Sequence, residues 1–229
     1  MDPRPLQNAV IAVTNAGRGF GHAAARALGR AGATVIVVDA DAEAAAAVAS
    51  ELEAIEAVAV PIKGDFTIQA EVSLTFDKIT EIFGNLAGLV QVADGVSSTP
   101  FRRLHSGEWN DYLDTNVRST FLLLQALRKN FKEAWATVVL PPLDSTEPQT
   151  RAARNALCGL IDGLAEEGQR VNAVQPTRSS AGLDLDQALG LAVLGLAIPA
   201  TGAVTGSTMR VALPPVPDPL EGLPPEALP

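Results

Sequence analysis

A glycine-rich turn follows the first apolar run of the sequence and opens the first alanine-rich stretch. It comprises Thr14, Asn15, Ala16, Gly17, Arg18, Gly19, Phe20 and Gly21. Glycines allow a tight turn and a close approach of backbone to ligand, and a helix that starts here offers free N–H groups and the positive end of its dipole. The pattern predicts a site for a diphosphate group; the alternative is an ordinary strand-to-helix turn.

Asp39 ends the second predicted strand, about 20 residues after the turn, where dinucleotide sites carry an acid for the ribose. Its carboxylate would accept a hydrogen bond from a 2′-hydroxyl and repel a 2′-phosphate, so the residue favours NAD over NADP. Arg18 has the opposite effect, because a cation in the turn tolerates a phosphate. The alternative for Asp39 is a helix-capping or solvated loop acid.

The elements that must position these residues alternate along the chain. Predicted strands lie at 10–13, 34–38, 58–62, 86–92, 137–140, 171–174 and 207–211. Predicted helices lie at 21–30, 41–56, 67–83, 108–131, 150–167 and 186–197. Apolar strands separated by helices are typical of a parallel sheet covered on both faces. We therefore predict an α/β fold with a doubly wound sheet of about seven strands, in one domain over residues 1–211.

Composition excludes several classes of protein. The net charge of −9 argues against binding to nucleic acid, and no apolar run reaches the roughly 20 residues that span a bilayer. One cysteine, Cys158, and two histidines exclude a disulfide framework and predict no metal site. A cytoplasmic location is the resulting expectation. Residues 212–229 hold seven of the 16 prolines and form a separate tail, expected to be extended.

Over about residues 8–211 the chain resembles the short-chain dehydrogenase/reductase family, whose doubly wound sheet is a Rossmann fold. The first family motif, Thr-Gly-x-x-x-Gly-x-Gly, matches at Thr14, Gly17, Gly19 and Gly21. Asn15 replaces the first glycine, and asparagine is the non-glycine residue best able to adopt left-handed backbone angles. The resemblance implies binding of NAD(H), with a less favoured NADP, by this turn.

Further site residues are implied by the same resemblance. Asp65, followed by Phe66, falls at the acid that contacts adenine, and Ala93 falls in the motif after the fourth strand. Asn116, in the long predicted helix at 108–131, falls at the catalytic asparagine of the family. The resemblance also implies a homodimer or homotetramer formed through this helix and helix 150–167, or a hetero-oligomer with an active paralogue.

The proton-transfer residues depart from the family pattern of a tyrosine four residues before a lysine. The alignment places Thr150 at the tyrosine and Arg154 at the lysine. A threonine hydroxyl is not brought near neutral pKa by modest electrostatics, and an arginine keeps its charge without shuttling protons. Ser145 is the best candidate for a surviving catalytic hydroxyl, with a turn residue as an equally good interpretation. His105 is a second candidate for the acid. The alternative is that His105 is an exposed loop histidine.

Three hypotheses follow. The first is an NAD(H)-binding protein with a degraded catalytic tetrad and weak or no oxidoreductase activity, working as a regulatory or non-catalytic subunit. The second is an active NAD(P)-dependent oxidoreductase on a carbonyl or secondary alcohol with a displaced proton donor. The third is a structural scaffold that binds no nucleotide, in which Asn15 and the altered motif after the fourth strand have closed the site.

Overall fold

Seven parallel strands form the sheet in the computed structural model, which describes residues 4–93, 95, 97, 99–177, 182–198 and 204–211. The strands are β1 Val10–Val13, β2 Thr34–Asp39, β3 Val58–Lys63, β4 Gly88–Val92, β5 Trp135–Val139, β6 Val171–Pro176 and β7 Thr208–Val211. Their order is β3-β2-β1-β4-β5-β6-β7. The order reverses between β1 and β4, and ligands of doubly wound sheets bind in the crevice at this reversal.

Helices cover both faces of the sheet. They are α1 Gly19–Arg30, α2 Ala42–Glu53, α3 Gln69–Phe83, α4 Ser106–Leu113, α5 Ser119–Asn130, α6 Pro148–Glu166 and α7 Gly182–Ala197. Helices α1, α2 and α7 bury one apolar cluster against the sheet, and α3, α5 and α6 bury another against the opposite face. The predicted α/β, doubly wound architecture is confirmed.

Strand β2 shows why its sequence is a continuous apolar run. Val35 and Val37 belong to the core beneath α1 and α2, whereas Ile36 and Val38 belong to the core beneath α3 and α5. Successive side chains of a strand point to opposite faces, so a sheet covered twice needs apolar residues at every position.

Two predicted helix boundaries, the start at Asp41 and the end at Phe83, coincide with caps in the structure. The carboxylate of Asp41 accepts from the N–H groups of Glu43 at 2.9 Å and Ala44 at 3.2 Å, which caps α2. Gly84 ends α3 with a φ of +70°, a left-handed conformation that favours glycine. The prediction placed the end of the helix that begins at Asp41 at Glu56, whereas α2 ends at Glu53 in the structure.

The predicted helix at 108–131 is correct in place and differs in its middle. A π-helical segment, Asp114–Arg118, separates α4 from α5. Hydroxyls of Ser119 and Thr120 donate to the carbonyl oxygens of Thr115 and Asn116, four residues earlier, at 2.5 and 2.6 Å. Such hydroxyl back-bonding bends helices, and single π turns are frequent at functional sites.

Within the residues that the structure describes, no helix is long and apolar enough to cross a membrane. The same part of the chain holds no group of three histidine, cysteine, aspartate or glutamate residues arranged for a metal ion. The proline-rich tail at 212–229 lies outside the described residues, as does part of the segment between β6 and α7.

Candidate nucleotide site

The glycine-rich turn connects β1 to α1 at the reversal of strand order. Asn15 adopts a φ of +48° and Gly19 a φ of +54°, so asparagine takes the left-handed conformation at the position where the family motif has glycine. A β-carbon on Gly21 would lie 2.2 Å from the carbonyl oxygen of Asn15. This contact is too short for any side chain, so the turn requires glycine at position 21.

The turn is fastened to the end of β4. The side-chain amide of Asn15 donates to the carbonyl oxygen of Val92 at 2.7 Å. The Thr14 hydroxyl donates to Oε1 of Gln91 at 2.5 Å and accepts from the N–H of Val92 at 3.0 Å. These bonds join the turn to the carboxyl end of β4.

Gln91 is a site residue that our sequence reasoning missed. It is 1% exposed, and its amide nitrogen donates to the hydroxyls of Ser119 at 3.3 Å and Thr120 at 3.1 Å. The bonds therefore link the turn, β4 and α5. The available signal was an amide inside an otherwise apolar strand, because a buried polar group requires partners.

Asp39 lies beside the turn, at the end of β2. Its Oδ2 accepts from the N–H of Gly17 at 2.9 Å, and its Oδ1 accepts from the N–H of Asp41 at 3.0 Å. A β-carbon on Gly17 would lie 2.9 Å from the same carboxylate, so a glycine at position 17 lets the turn approach Asp39 this closely. A carboxylate has about four acceptor sites, so two remain for a ligand hydroxyl.

Arg18 and Phe20 contribute to the turn in different ways. Arg18 is exposed, precedes the first residue of α1 with extended backbone and provides no side-chain cap. The Phe20 side chain is buried in the core, so only its backbone is available to a ligand. Since a helix leaves its first N–H groups without intrahelical partners, the start of α1 is suited to an anion.

A cleft of about 450 Å³ opens beside the turn. Its described lining consists of Thr14, Asn15, Ala40, Gly64, Asp65, Phe66, Thr67, Gln91, Asp111, Asp114, Thr115 and Ser119. Asp65 accepts from the N–H of Thr67 at 3.0 Å and from its hydroxyl at 2.7 Å, which fixes the carboxylate at the cleft. The cleft thus carries three carboxylates, amides and hydroxyls around a largely buried phenyl ring.

The helix that carries the predicted catalytic substitutes is packed against its surroundings. Thr150 is 0% exposed, and its hydroxyl has no hydrogen-bond partner among the residues that the structure describes. Arg154 is 8% exposed and donates to the carbonyl oxygens of Pro142 at 2.8 Å and Leu143 at 3.4 Å. The guanidinium therefore holds the loop after β5.

The remaining predicted site residues lie in three different parts of the fold: the π segment, the loop after β5 and the end of β4. Asn116 is buried in the π segment, and its amide donates to the carbonyl oxygen of Tyr112 at 2.9 Å. Ser145 is half-buried in the loop after β5, and its N–H donates to the carbonyl oxygen of Pro142 at 3.4 Å. Ala93 is buried, and its N–H donates to the carbonyl oxygen of Val139 at 2.8 Å.

Tyr112 and His105 both have structural partners. The Tyr112 hydroxyl donates to the carbonyl oxygen of Gly95 at 2.9 Å, which holds the loop after β4. His105 precedes α4 and accepts from the N–H of Glu108 at 3.4 Å, as half of a capping box. The Tyr112 side chain is 9% exposed.

Comparison with known proteins identifies the family. Residues 9–140, more than half of the chain, match the family model for short chain dehydrogenases. The chain belongs to the short-chain dehydrogenase family. A 3-oxoacyl-(acyl-carrier-protein) reductase from Pseudomonas aeruginosa is 30% identical to this dehydrogenase-family chain over 182 residues, which cover 75% of the chain and 74% of the reductase.

Other relatives agree with this assignment. The 2-(S)-hydroxypropyl-CoM dehydrogenase 3 of Xanthobacter autotrophicus is 32% identical over 197 residues, covering 78% of the chain and 74% of that enzyme. The solved structure of a short-chain dehydrogenase/reductase from Serratia marcescens superposes with a TM-score of 0.81 at 26% identity, covering 90% of this chain and 97% of that one. Proteins of this oxidoreductase family generally bind NAD or NADP and are often oligomeric.

Proposed function

We propose that this short-chain dehydrogenase binds NAD(H) at the glycine-rich turn and has weak or no oxidoreductase activity. Gly17, Gly19 and Gly21 let the diphosphate approach the backbone, and the first N–H groups of α1 donate to it. Thr14 and Asn15 hold the turn against β4. The absence of room for a β-carbon at Gly21 supports a turn shaped for close approach.

Asp39 supports NAD rather than NADP. Its free acceptor sites suit the hydroxyls of the adenosine ribose, whereas a 2′-phosphate beside this carboxylate would be repelled. The N–H groups of Gly17 and Asp41 already hold the carboxylate in place. We assign Asp65 and Phe66 to the adenine end of the cleft, where both residues form part of the lining.

The surroundings of Thr150 carry the proposal of low activity. The nicotinamide of a bound cofactor supplies or accepts hydride, so the protein must carry the hydroxyl proton of the substrate. Thr150 is buried without a hydrogen-bond partner, and Arg154 is committed to the carbonyl oxygens of Pro142 and Leu143. The only tyrosine of the chain, Tyr112, is followed four residues later by Asn116 and not by a lysine.

A functioning oxidoreductase with a displaced acid is the second candidate. The relatives that match this chain are named as reductases and dehydrogenases. Ser145 lies half-buried in the loop after β5, beside the exposed Thr146, and is the hydroxyl that we assign to such a role. Under this candidate, hydride transfer to a ketone or from a secondary alcohol would require the Ser145 hydroxyl or a proton of the substrate itself.

We also propose that the protein associates through α5 and α6, either with itself or with an active paralogue. Phe121 on α5 is a large apolar side chain that is 44% exposed. A groove of about 660 Å³ continues from it along Leu124, Leu160 and Leu164. Light scattering of the Phe121→Glu variant tests this, since a charge on this face should shift the protein toward a smaller species.

The nucleotide proposal is tested by thermal unfolding with and without NAD. A ligand present at 100 times its dissociation constant stabilises the folded state by about 2.7 kcal/mol, so a clear rise of the melting temperature is expected. An absorbance assay with NADH and a panel of ketones tests the activity proposal, and we expect no enzyme-dependent change. A melting temperature that NAD does not change would favour the scaffold hypothesis. Turnover of a ketone would favour the oxidoreductase with a displaced proton donor.

A further inference from the structure

We propose that a groove between α1 and α7 is the docking site of the chain's own proline-rich tail, residues 212–229. The groove has a volume of about 540 Å³ and lies on the face of the sheet that α1, α2 and α7 cover. Its occupant is therefore an acidic segment that contains leucine and belongs to the same chain. This inference is separate from the proposed nucleotide site and does not depend on it.

Small residues form the floor of the groove, where the two helices meet. A β-carbon on Gly190 of α7 would lie 2.8 Å from the carbonyl oxygen of Ala23 and 3.1 Å from the β-carbon of Ala27, both on α1. The distance between packed helices depends on the side chains at their contact, so α1 and α7 approach closely here. The larger side chains on either side of this contact form the walls of the groove.

Apolar side chains of α7 form one wall. Leu191 is 58% exposed and Leu194 is half-buried, whereas Leu189 and Val193 on the inner side of the helix are fully buried. A single exposed leucine is ordinary on a protein surface, but these two line a concave surface together with Pro5. A leucine or valine from another segment would thus be removed from water in the groove.

Basic side chains of α1 form the opposite wall. His22, Arg26 and Arg30 recur at four-residue spacing, which places them along one side of the helix. The Glu51 carboxylate lies 2.7 Å from the His22 ring and also accepts from Arg26, so one carboxylate serves two basic residues. Arg30 is exposed, and none of the ion pairs within the described part of the chain includes it. This wall therefore keeps an excess of positive charge.

The proline-rich tail has a matching composition. It carries three carboxylates, Asp218, Glu221 and Glu226, and no lysine or arginine. Leu220 and Leu223 are close in sequence to these acids, so the tail offers apolar and anionic groups together. Its seven prolines restrict the unbound backbone, which reduces the conformational entropy that is lost on docking.

The tail begins within reach of the groove. It follows Val211, the last residue of β7, and α7 packs against both β7 and α1. A single helix, about 10–12 Å across, thus separates the end of β7 from the groove. Residues 212–220 in a polyproline conformation span about 28 Å at ~3.1 Å per residue, so Leu220 can reach the groove across α7. The covalent connection also gives the tail a local concentration on the order of millimolar, which favours it over a free partner.

Disulfide trapping in the full chain tests this proposal. Cys158 is first replaced by alanine, and Leu191→Cys in the groove is then combined with Leu220→Cys in the tail. The matched control pairs Leu220→Cys with Leu74→Cys, because Leu74 is also 58% exposed and lies on α3 at the opposite face of the sheet. In dilute protein with the uncharged oxidant hydroxyethyl disulfide, we expect the intramolecular disulfide to form about tenfold faster in the Leu191 pair than in the Leu74 pair.

Two results would overturn the proposal. Equal rates in the two pairs, or no disulfide in either, would show that the tail does not prefer the groove. Disulfide-linked dimers as the main product of the Leu191 pair would assign the groove to a second copy of the chain.

Charge reversal in the groove is the second readout. Arg30→Glu in the Leu191 pair should slow the intramolecular disulfide by about threefold, while Arg30→Lys should keep the rate, because this wall attracts the carboxylates of the tail. Lys78→Glu, at an exposed position on α3, is the control and should leave the rate unchanged. A rate that Arg30→Glu does not change would contradict docking of an acidic segment against the basic wall.

Discussion

The guanidinium of Arg154 donates to the carbonyl oxygen of Pro142 across 2.8 Å and so joins α6 to the loop that follows β5. Burying an unpaired charge is costly, and the carbonyls of Pro142 and Leu143 provide the required acceptors. Arg154 therefore fastens the loop after β5 to α6, and under the function proposed above its guanidinium serves this structural bond.

Replacing Arg154 tests this structural role. Arg154→Met keeps much of the side-chain volume and leaves the Pro142 carbonyl with only the 3.4 Å bond from the N–H of Ser145, so we expect a loss of about 1–3 kcal/mol in the free energy of unfolding. Urea denaturation measures it. Arg151→Met, at an exposed position one turn earlier, is the matched control and should change stability by less than about 0.5 kcal/mol. Equal stability of both variants would show that the bond contributes nothing.

Thr150→Val separates a structural from a catalytic threonine. The Thr150 hydroxyl is buried without a partner, so valine removes an unsatisfied group and should raise the free energy of unfolding by about 1 kcal/mol. Thr120→Val is the control of opposite sign, because that hydroxyl donates to the carbonyl of Asn116 at 2.6 Å. Any turnover by the wild type that Thr150→Val abolishes would restore a catalytic role to Thr150.

Asp39 and Asp41 provide a matched pair of carboxylates. Asp39→Ala removes the acceptor of the Gly17 N–H and should weaken NAD binding at least tenfold, about 1.4 kcal/mol. Asp41→Ala removes the cap of α2, costs about 1 kcal/mol of stability and should leave the NAD affinity unchanged. Titration calorimetry and thermal unfolding on both variants provide the two measurements. Similar affinities for both would remove Asp39 from the site.

Local signals predicted most of the fold and part of the site. The β-branched run of β2, the cap at Asp41 and the left-handed Gly84 each act within a few residues of chain, so their patterns are visible in the sequence. The bonds of Gln91 join residues 28 to 77 positions apart, and such partners depend on how the sheet and helices pack. The periodic apolar pattern predicted the long helix around Asn116. It did not predict the π segment within that helix.

The sequence did not show whether the side chains of Thr150 and Arg154 on α6 are buried. The spacing placed Thr150 and Arg154 at two family positions without showing whether their side chains meet solvent. The structure buries both and gives Arg154 backbone partners in the loop after β5. A long-range contact of this kind follows from tertiary packing and leaves no periodic pattern to read.

Gly21 tests the tightness of the turn. Gly21→Ala places a methyl group 2.2 Å from the Asn15 carbonyl oxygen, so the backbone must move at a stability cost of about 1–3 kcal/mol or more, and NAD binding should be lost. Gly159→Ala, in α6 with no atom within 4 Å of the new carbon, should instead stabilise the protein by about 0.5–1 kcal/mol. Thermal unfolding compares them; a neutral Gly21→Ala would show a looser turn than described.

Cys158 should react slowly with thiol reagents at neutral pH. Burial raises the pKa of its thiol, and the Asp162 carboxylate raises it further, while Arg154 acts in the opposite direction. A raised pKa leaves less thiolate at pH 7, and the thiolate is the reactive form. Alkylation by iodoacetamide should therefore be slower than that of free cysteine at pH 7, and its rate should still increase above about pH 8.5, where the rate of free cysteine begins to level off. A rate equal to that of free cysteine at pH 7 would refute this.

The most direct measurement of the central claim is a calorimetric titration of the wild-type protein with NADH at pH 7. We predict saturable binding at one site per chain with a dissociation constant below about 1 mM, and no oxidation of the NADH when ketones are added to the complex. Absence of any binding heat up to millimolar NADH, or rapid ketone-dependent oxidation, would contradict the account of a retained nucleotide site without a proton donor.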